Sequence, residues 1–231
     1  MNPTILTAIE RRLAEERLDA YRQDGAAPNV ALGRYLWNVA VSESLYPVLQ
    51  FAEVALRNRL HECLALRYFG PGWYDNTKCP LQPWQNEKVA SAKQKLTKSG
   101  KTVTPGRVVA ELEFGFWTDF FSNKHSSTGL APYLAKHAFA SAPSAEKDIK
   151  LLGARWKAVR ELRNRVFHHE RIIHWYDLDG NDLGSQHVRL LEVTQWLSPE
   201  LHQLALLADR FPSVWQQGST PWTAKVDQNW S

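Results

Sequence analysis

Arg160-Glu161-Leu162-Arg163-Asn164-Arg165-Val166-Phe167-His168-His169-Glu170 sets three arginines, one amide and two imidazoles into eleven residues of helical pattern. Val159, Leu162, Val166 and Ile173 form the stripe that seeks a core. Asn164 and His168, four apart, share a face. Arg163 and His168, five apart, diverge by roughly 140° on a straight helix. His168 therefore points nearly opposite the stripe, and Arg163 sits at its margin. The far face carries Arg160, Asn164 and His168, as expected of a helix lining a cleft or a subunit interface. From Arg155 to Arg171 there are six Lys/Arg against two Asp/Glu, a net +4 equal to the formal charge of the whole chain. The remaining sequence is near neutral, so the local cluster is what would meet negative charge, with phosphate the first candidate.

The 231 residues suit one domain, expected over 1–210, with a tryptophan-containing tail over 211–231 packed on it. No apolar run approaches the length of a membrane span. The N-terminal MNPTILTAIERRLAEERLDAYRQDG is charged and helix-like, unlike a signal peptide. Cys63 and Cys79 are the only cysteines, and no metal spacing surrounds them. A reducing, cytoplasmic setting without disulfides is the expectation.

The pattern along the chain is helical throughout, with no strand signal of any length. A first helix is expected over residues 4–24, a second over 29–41, and a third capped by Ser42 or Ser44 with Pro47 in its first turn. That third helix continues through Leu66, with Leu49, Ala52, Leu56, Leu60 and Cys63 inward. Thr104-Pro105 opens a further helix, whose dense Phe114, Phe116, Trp117, Phe120 and Phe121 read as core and not as a base-stacking platform. Ser144 caps the motif helix, expected over 145–171. Helices over 186–197 and 198–210 follow the polar turn at Asp177–Gly184.

Further groups bear on the site. Glu53 and Arg57, four apart and followed by Asn58, either form a surface ion pair or support the Arg163–His168 pair. Lys88, Lys93, Lys95 and Lys98 are either a solvated face or an electrostatic track for a nucleic-acid backbone. His169-Glu170-x-x-x-His174 is one residue too long for the zinc-protease helix. Asp177-x-Asp179-Gly180-Asn181 lacks the glycine and the final glutamate of a calcium loop. His168, His169 and His174 together could still hold a structural metal. No glycine-rich phosphate loop is present, and no cofactor follows from the sequence.

Arg163-Asn164-x-x-x-His168 resembles the signature of HEPN domains, and RELRNRVFHHE resembles the Abi-like (abortive infection) branch of that superfamily. The blocks at 36–64, 69–75 (FGPGWYD) and 108–121 (VVAELEFGFWTDFF) are similar to the other blocks of Abi-like proteins. The resemblance covers roughly residues 34–175. It implies an all-α HEPN-type helical bundle, here with additional N- and C-terminal helices. It also implies a homodimer with one motif per subunit facing the other, and a role in phage defence or as a toxin, with an antitoxin protein or RNA as a further partner.

The residue chemistry fits RNA cleavage without a metal. Histidine titrates near neutrality and suits either proton transfer. Arg163 would clamp the phosphate, His168 would be the acid or base, and Asn164 would orient His168 or the scissile ribose. Arg160, Glu53, Arg57 and Asn58 would support them, and His169 and Glu170 would tie down the helix end. A buried histidine bonded to a neighbouring helix, with Arg163 as its cationic neighbour, fits the same spacing. A non-catalytic RNA-binding or protein-interaction module on the same fold is the alternative function.

Overall fold

The structure, a computed structural model, describes residues 3–230. Among them are thirteen α-helices, four short 3₁₀ turns and no strand. The helices are α1 (Pro3–Leu13), α2 (Glu15–Asp19), α3 (Pro28–Arg67), α4 (Pro83–Lys98), α5 (Pro105–Glu111), α6 (Phe114–Thr118) and α7 (Asn123–Ser126). They continue with α8 (Leu130–Ala138), α9 (Ile149–Phe167), α10 (Leu183–Leu197), α11 (Pro199–Ala208), α12 (Phe211–Gln217) and α13 (Thr220–Trp230). The chain forms two compact units. The first takes the segments up to Pro47, from Arg163 to His187, and from Ala208 onward. The second takes Val48–Leu162 and Val188–Leu207.

Several expected boundaries move, each for a local reason. The N-terminal helix breaks at Ala14, whose φ of 69° no helix interior accepts. The second and third expected helices are one, the 40-residue α3, with Pro47 inside it. Ser42 and Ser44 do not cap; their hydroxyls turn back and donate to the carbonyls of Asn38 (2.8 Å) and Val41 (2.7 Å). An interior proline costs about 3 kcal/mol. Leu45, Val48 and Leu49 are all buried around it, at roughly 1.5–3 kcal/mol each, which outweighs that cost. The helix expected to open at Thr104 is interrupted at Leu112 and Glu113, so the aromatic run falls on α6 and the 3₁₀ turn after it. The motif helix starts later and stops earlier than its pattern suggests. Asp148, not Ser144, caps α9, its Oδ1 accepting from the amides of Lys150 (2.9 Å) and Leu151 (3.1 Å).

The second unit is built on aromatic packing. The Trp73 ring lies 6.1 Å from Trp117, 6.3 Å from Phe120 and 6.4 Å from Phe116, mostly edge-on. All four are essentially sealed from water, as are Leu49, Ala52, Leu56, Leu60 and Cys63 of α3. The aromatic run is therefore core. Burial raises the thiol of Cys63, and pushes that of Cys79 up to about 12, so neither is an activated nucleophile.

In the first unit both ends of the described chain meet α3. Leu18, Leu32 and Val226 form a small core, joined by Ile9, Leu13 and Trp230. Trp215 of α12 stacks on Trp37 at 5.2 Å, and the Trp37 indole donates to the Val214 carbonyl at 3.1 Å. Phe211 stacks on His187 at 4.4 Å. Gly33 lets α13 approach: a Cβ there would sit 2.1 Å from Thr223 Oγ1 and 2.8 Å from its Cα.

Two consequences can be measured. In an exposed helix, Gly→Ala stabilises by roughly 0.5–1 kcal/mol; at Gly33 the sign reverses, and Gly33→Ala costs about 1–3 kcal/mol by overpacking, read by urea denaturation. The second concerns His125 and His187, both buried. Burial holds each imidazole below its ordinary range, and at His187 it outweighs the opposing pull of Asp209, 2.9 Å away. The unfolded chain then binds more protons than the folded one. The stability from these groups is complete above the unfolded pKa of about 6.5 and is lost as pH falls through the lower folded values. The melting temperature falls between pH 7.5 and 5, and His187→Gln flattens that fall.

Candidate functional site at the end of the motif helix

The core stripe of α9 is as its spacing implies: Val159, Leu162 and Val166 are buried, and so is Ile173 beyond the helix. On the other side Asn164 and His168 are exposed, while Arg163 is half-buried. An exposed His168 removes the reading of a buried core histidine. Its ring makes no hydrogen bond or ion pair among the described residues, and its amide donates to the Asn164 carbonyl at 2.8 Å. The Arg163 guanidinium lies over the Phe167 ring, 4.5 Å from its centroid.

The helix ends at Phe167 because the backbone folds back on itself. His169 adopts φ 57°. Its amide donates to Val166 (3.2 Å), and that of Glu170 reaches Arg165 (2.9 Å), the paired bonds of a Schellman cap. Glycine usually holds such a position; histidine is among the few residues that tolerate it. Arg165 braces the cap, pairing with Glu170 at 2.6 Å and lying 4.6 Å over the Trp175 ring. Arg17 donates to the His169 carbonyl and Arg171 to that of Ala20.

Asn38 of α3 holds the returning strand of backbone. Its Nδ2 donates to the Glu170 carbonyl at 3.1 Å, and its Oδ1 accepts from the amides of Ile172 (2.7 Å) and Ile173 (3.3 Å). Sequence reasoning missed this residue. The signal was there: an amide whose neighbours three and seven residues on, Val41 and Leu45, are core. A pocket of about 410 Å³ opens beside the cap, lined by Val39, Ser42, Tyr46, Val166, Phe167 and His169. The half-exposed rings of Tyr46 and Phe167 meet there at 5.6 Å.

The other expected residues are distributed as follows. Arg163, Asn164, His168, His169 and Glu170 belong to the first unit; Glu53, Arg57, Asn58 and Arg160 belong to the second. Arg57 Nε donates to Asn58 Oδ1 at 3.2 Å. His61, four residues after Arg57, is structural: its Nδ1 accepts the Trp73 indole proton at 2.9 Å, and burial lowers its pKa. Of the four lysines on α4, three meet carboxylates: Lys88 with Glu113 (3.1 Å), Lys93 with Asp75 (2.6 Å) and Lys95 with Glu111 (2.5 Å). Lys98 alone has no such partner among the described residues. The field of that face is thus largely offset locally. Asp177 spends its carboxylate on the turn, accepting from the amides of Asp179 (3.0 Å) and Asn181 (2.8 Å). No group of three or more His, Cys, Asp or Glu among the described residues is placed to hold a metal ion.

The cap makes a sharp prediction. A β-branched residue at φ 57° is strained by about 1–2 kcal/mol, so His169→Val destabilises by that amount in urea denaturation. His169→Gly, which carries no such strain, leaves the midpoint near the wild-type value. A larger loss from glycine than from valine would show that the imidazole itself holds the cap. No protein-family model, no curated protein and no solved structure matches this chain.

Proposed function

We propose that the protein is a metal-independent endoribonuclease of the HEPN type, serving phage defence or acting as a toxin. The observation that carries this reading is an exposed His168, its ring without a partner among the described residues, five residues beyond Arg163 at the end of α9. The Arg163 guanidinium lies over the Phe167 ring, and the cap and Asn38 fix the backbone that follows. A rigid helix end with a general acid–base group and a planar cation suits chemistry at a phosphodiester.

In the proposed reaction the ribose 2′-oxygen attacks phosphorus and loses its proton to a base. The bond to the 5′-oxygen breaks, and that oxygen takes a proton from an acid. The products are a 2′,3′-cyclic phosphate and a free 5′-hydroxyl. His168 performs one proton transfer, Arg163 binds the phosphate oxygens as charge builds, and Asn164, sharing the face of His168, orients it. A second copy of the motif in a homodimer supplies the histidine for the other transfer. RNA is the partner in this reading, and an antitoxin its regulator. Among the described residues no helix is long and apolar enough to cross a membrane.

The test is cleavage by the pure protein in EDTA, with end-group analysis. His168→Ala and Arg163→Ala each lower the rate by about 10²–10⁴-fold, while stability falls by only about 1 kcal/mol. Arg163→Lys keeps the charge but loses the planar, two-pronged grip on phosphate, and stays well below wild type. RNA bound but never cut would favour the binding-module alternative, and a monomer at micromolar concentration by sedimentation would remove the shared site.

A further inference from the structure

We infer that a second place on α9, within the other unit, is a binding groove for RNA backbone phosphates. Lys150, Lys157 and Arg160 line a pocket of about 460 Å³ with Ser122 and Asp119 on its facing wall. Lys150, Ala154 and Lys157 follow at helical spacing, as do Gly153 and Arg160, so the three cations share one face. None of the three has an ion-pair partner among the described residues, in contrast to Lys88, Lys93 and Lys95 on α4. Uncompensated cations attract phosphate; cations already facing carboxylates do so far less.

A Cβ at Gly153 would lie 2.6 Å from the Phe121 carbonyl oxygen, so the α9 backbone and the facing segment touch directly between the cations. Ser122 Oγ is buried with no hydrogen-bond partner among the described residues. Asp119 is the one anion in the wall. Its Oδ2 is buried and lies 3.8 Å from His125 Nε2, so it faces inward and opposes the cations only in part.

The size of the row decides the ligand. Ten residues of helix separate Lys150 from Arg160, about 15 Å at 1.5 Å per residue. That exceeds a single phosphate group and suits a chain carrying several. The choice of RNA over another polyphosphate rests on the ribonuclease reading. The groove replaces α4 as the electrostatic track.

The experiment uses the His168→Ala protein and a fluorescent 2′-O-methyl oligoribonucleotide, which has no attacking hydroxyl. Affinity is measured from 50 to 200 mM salt, with melting curves on each variant. Lys150→Gln with Lys157→Gln weakens binding about tenfold at low salt and flattens the log–log salt slope by about 1.4, the two lost contacts at ~0.7 each for a single strand. The same exchange at Lys93 and Lys95 changes little. Unchanged affinity and slope in the first pair, or a larger loss in the second, overturns the groove. Displacement of the oligonucleotide by micromolar nucleoside monophosphate assigns the pocket to a small phosphate ester and overturns it equally. If Lys150 and Lys157 prove necessary for binding while wild-type protein leaves no cyclic phosphate ends, the groove stands and the nuclease reading falls. The reverse result separates them the other way.

Discussion

One buried amide holds the candidate site in place. After Schellman capping, the chain from Glu170 to Ile173 runs as plain backbone into the interior, with two buried amides and a part-buried carbonyl to satisfy. Leaving such groups unpaired costs about 1–3 kcal/mol each. Asn38 satisfies three of them with one side chain, and its position halfway along the first-unit part of α3 fixes where α9 must end. The exposed face of Asn164 and His168 is the remainder: what is left to solvent once the stripe, the cap and the amide have used the other sides.

Much of this was legible. The inward stripe of α3 from Leu49 to Cys63, the stripe of α9, and the burial of the aromatic run all follow from spacing and side-chain volume. So did the outward position of His168, since a residue opposite a core stripe has nowhere else to go. The errors share a cause. Serines and a proline were read as punctuation. Yet Ser42 and Ser44 can satisfy their hydroxyls on their own helix, and Pro47 is overruled by the burial on either side of it. Asp148, not Ser144, sits where its Oδ1 can accept from the first free amides of α9. Asn38 escaped because a polar residue within a stripe looks like noise until its tertiary partners, more than a hundred residues away, are in place.

The lysines of α4 and the cations of α9 teach the complementary lesson. The first set reads as a basic helix face in sequence; of the second, only Arg160 stands out there, as a support of the motif. Only tertiary structure shows that Glu113, Asp75 and Glu111 meet the first set, whereas the second faces a serine and a single inward-turned aspartate. Net charge per segment does not report field; pairing does.

The first unit is stitched from three stretches, and its small core needs Leu18 from near one end of the described chain and Val226 from near the other. During synthesis the early segment is therefore made long before the residues that cover it, while the second unit already has most of its own chain. Domains form as their residues leave the ribosome, and pairings distant in sequence form last. The end of α9 sits in the late-forming unit. Whatever that site does, it does only after the chain has been made through α13, so a product stalled before α13 would carry the motif without the scaffold that presents it.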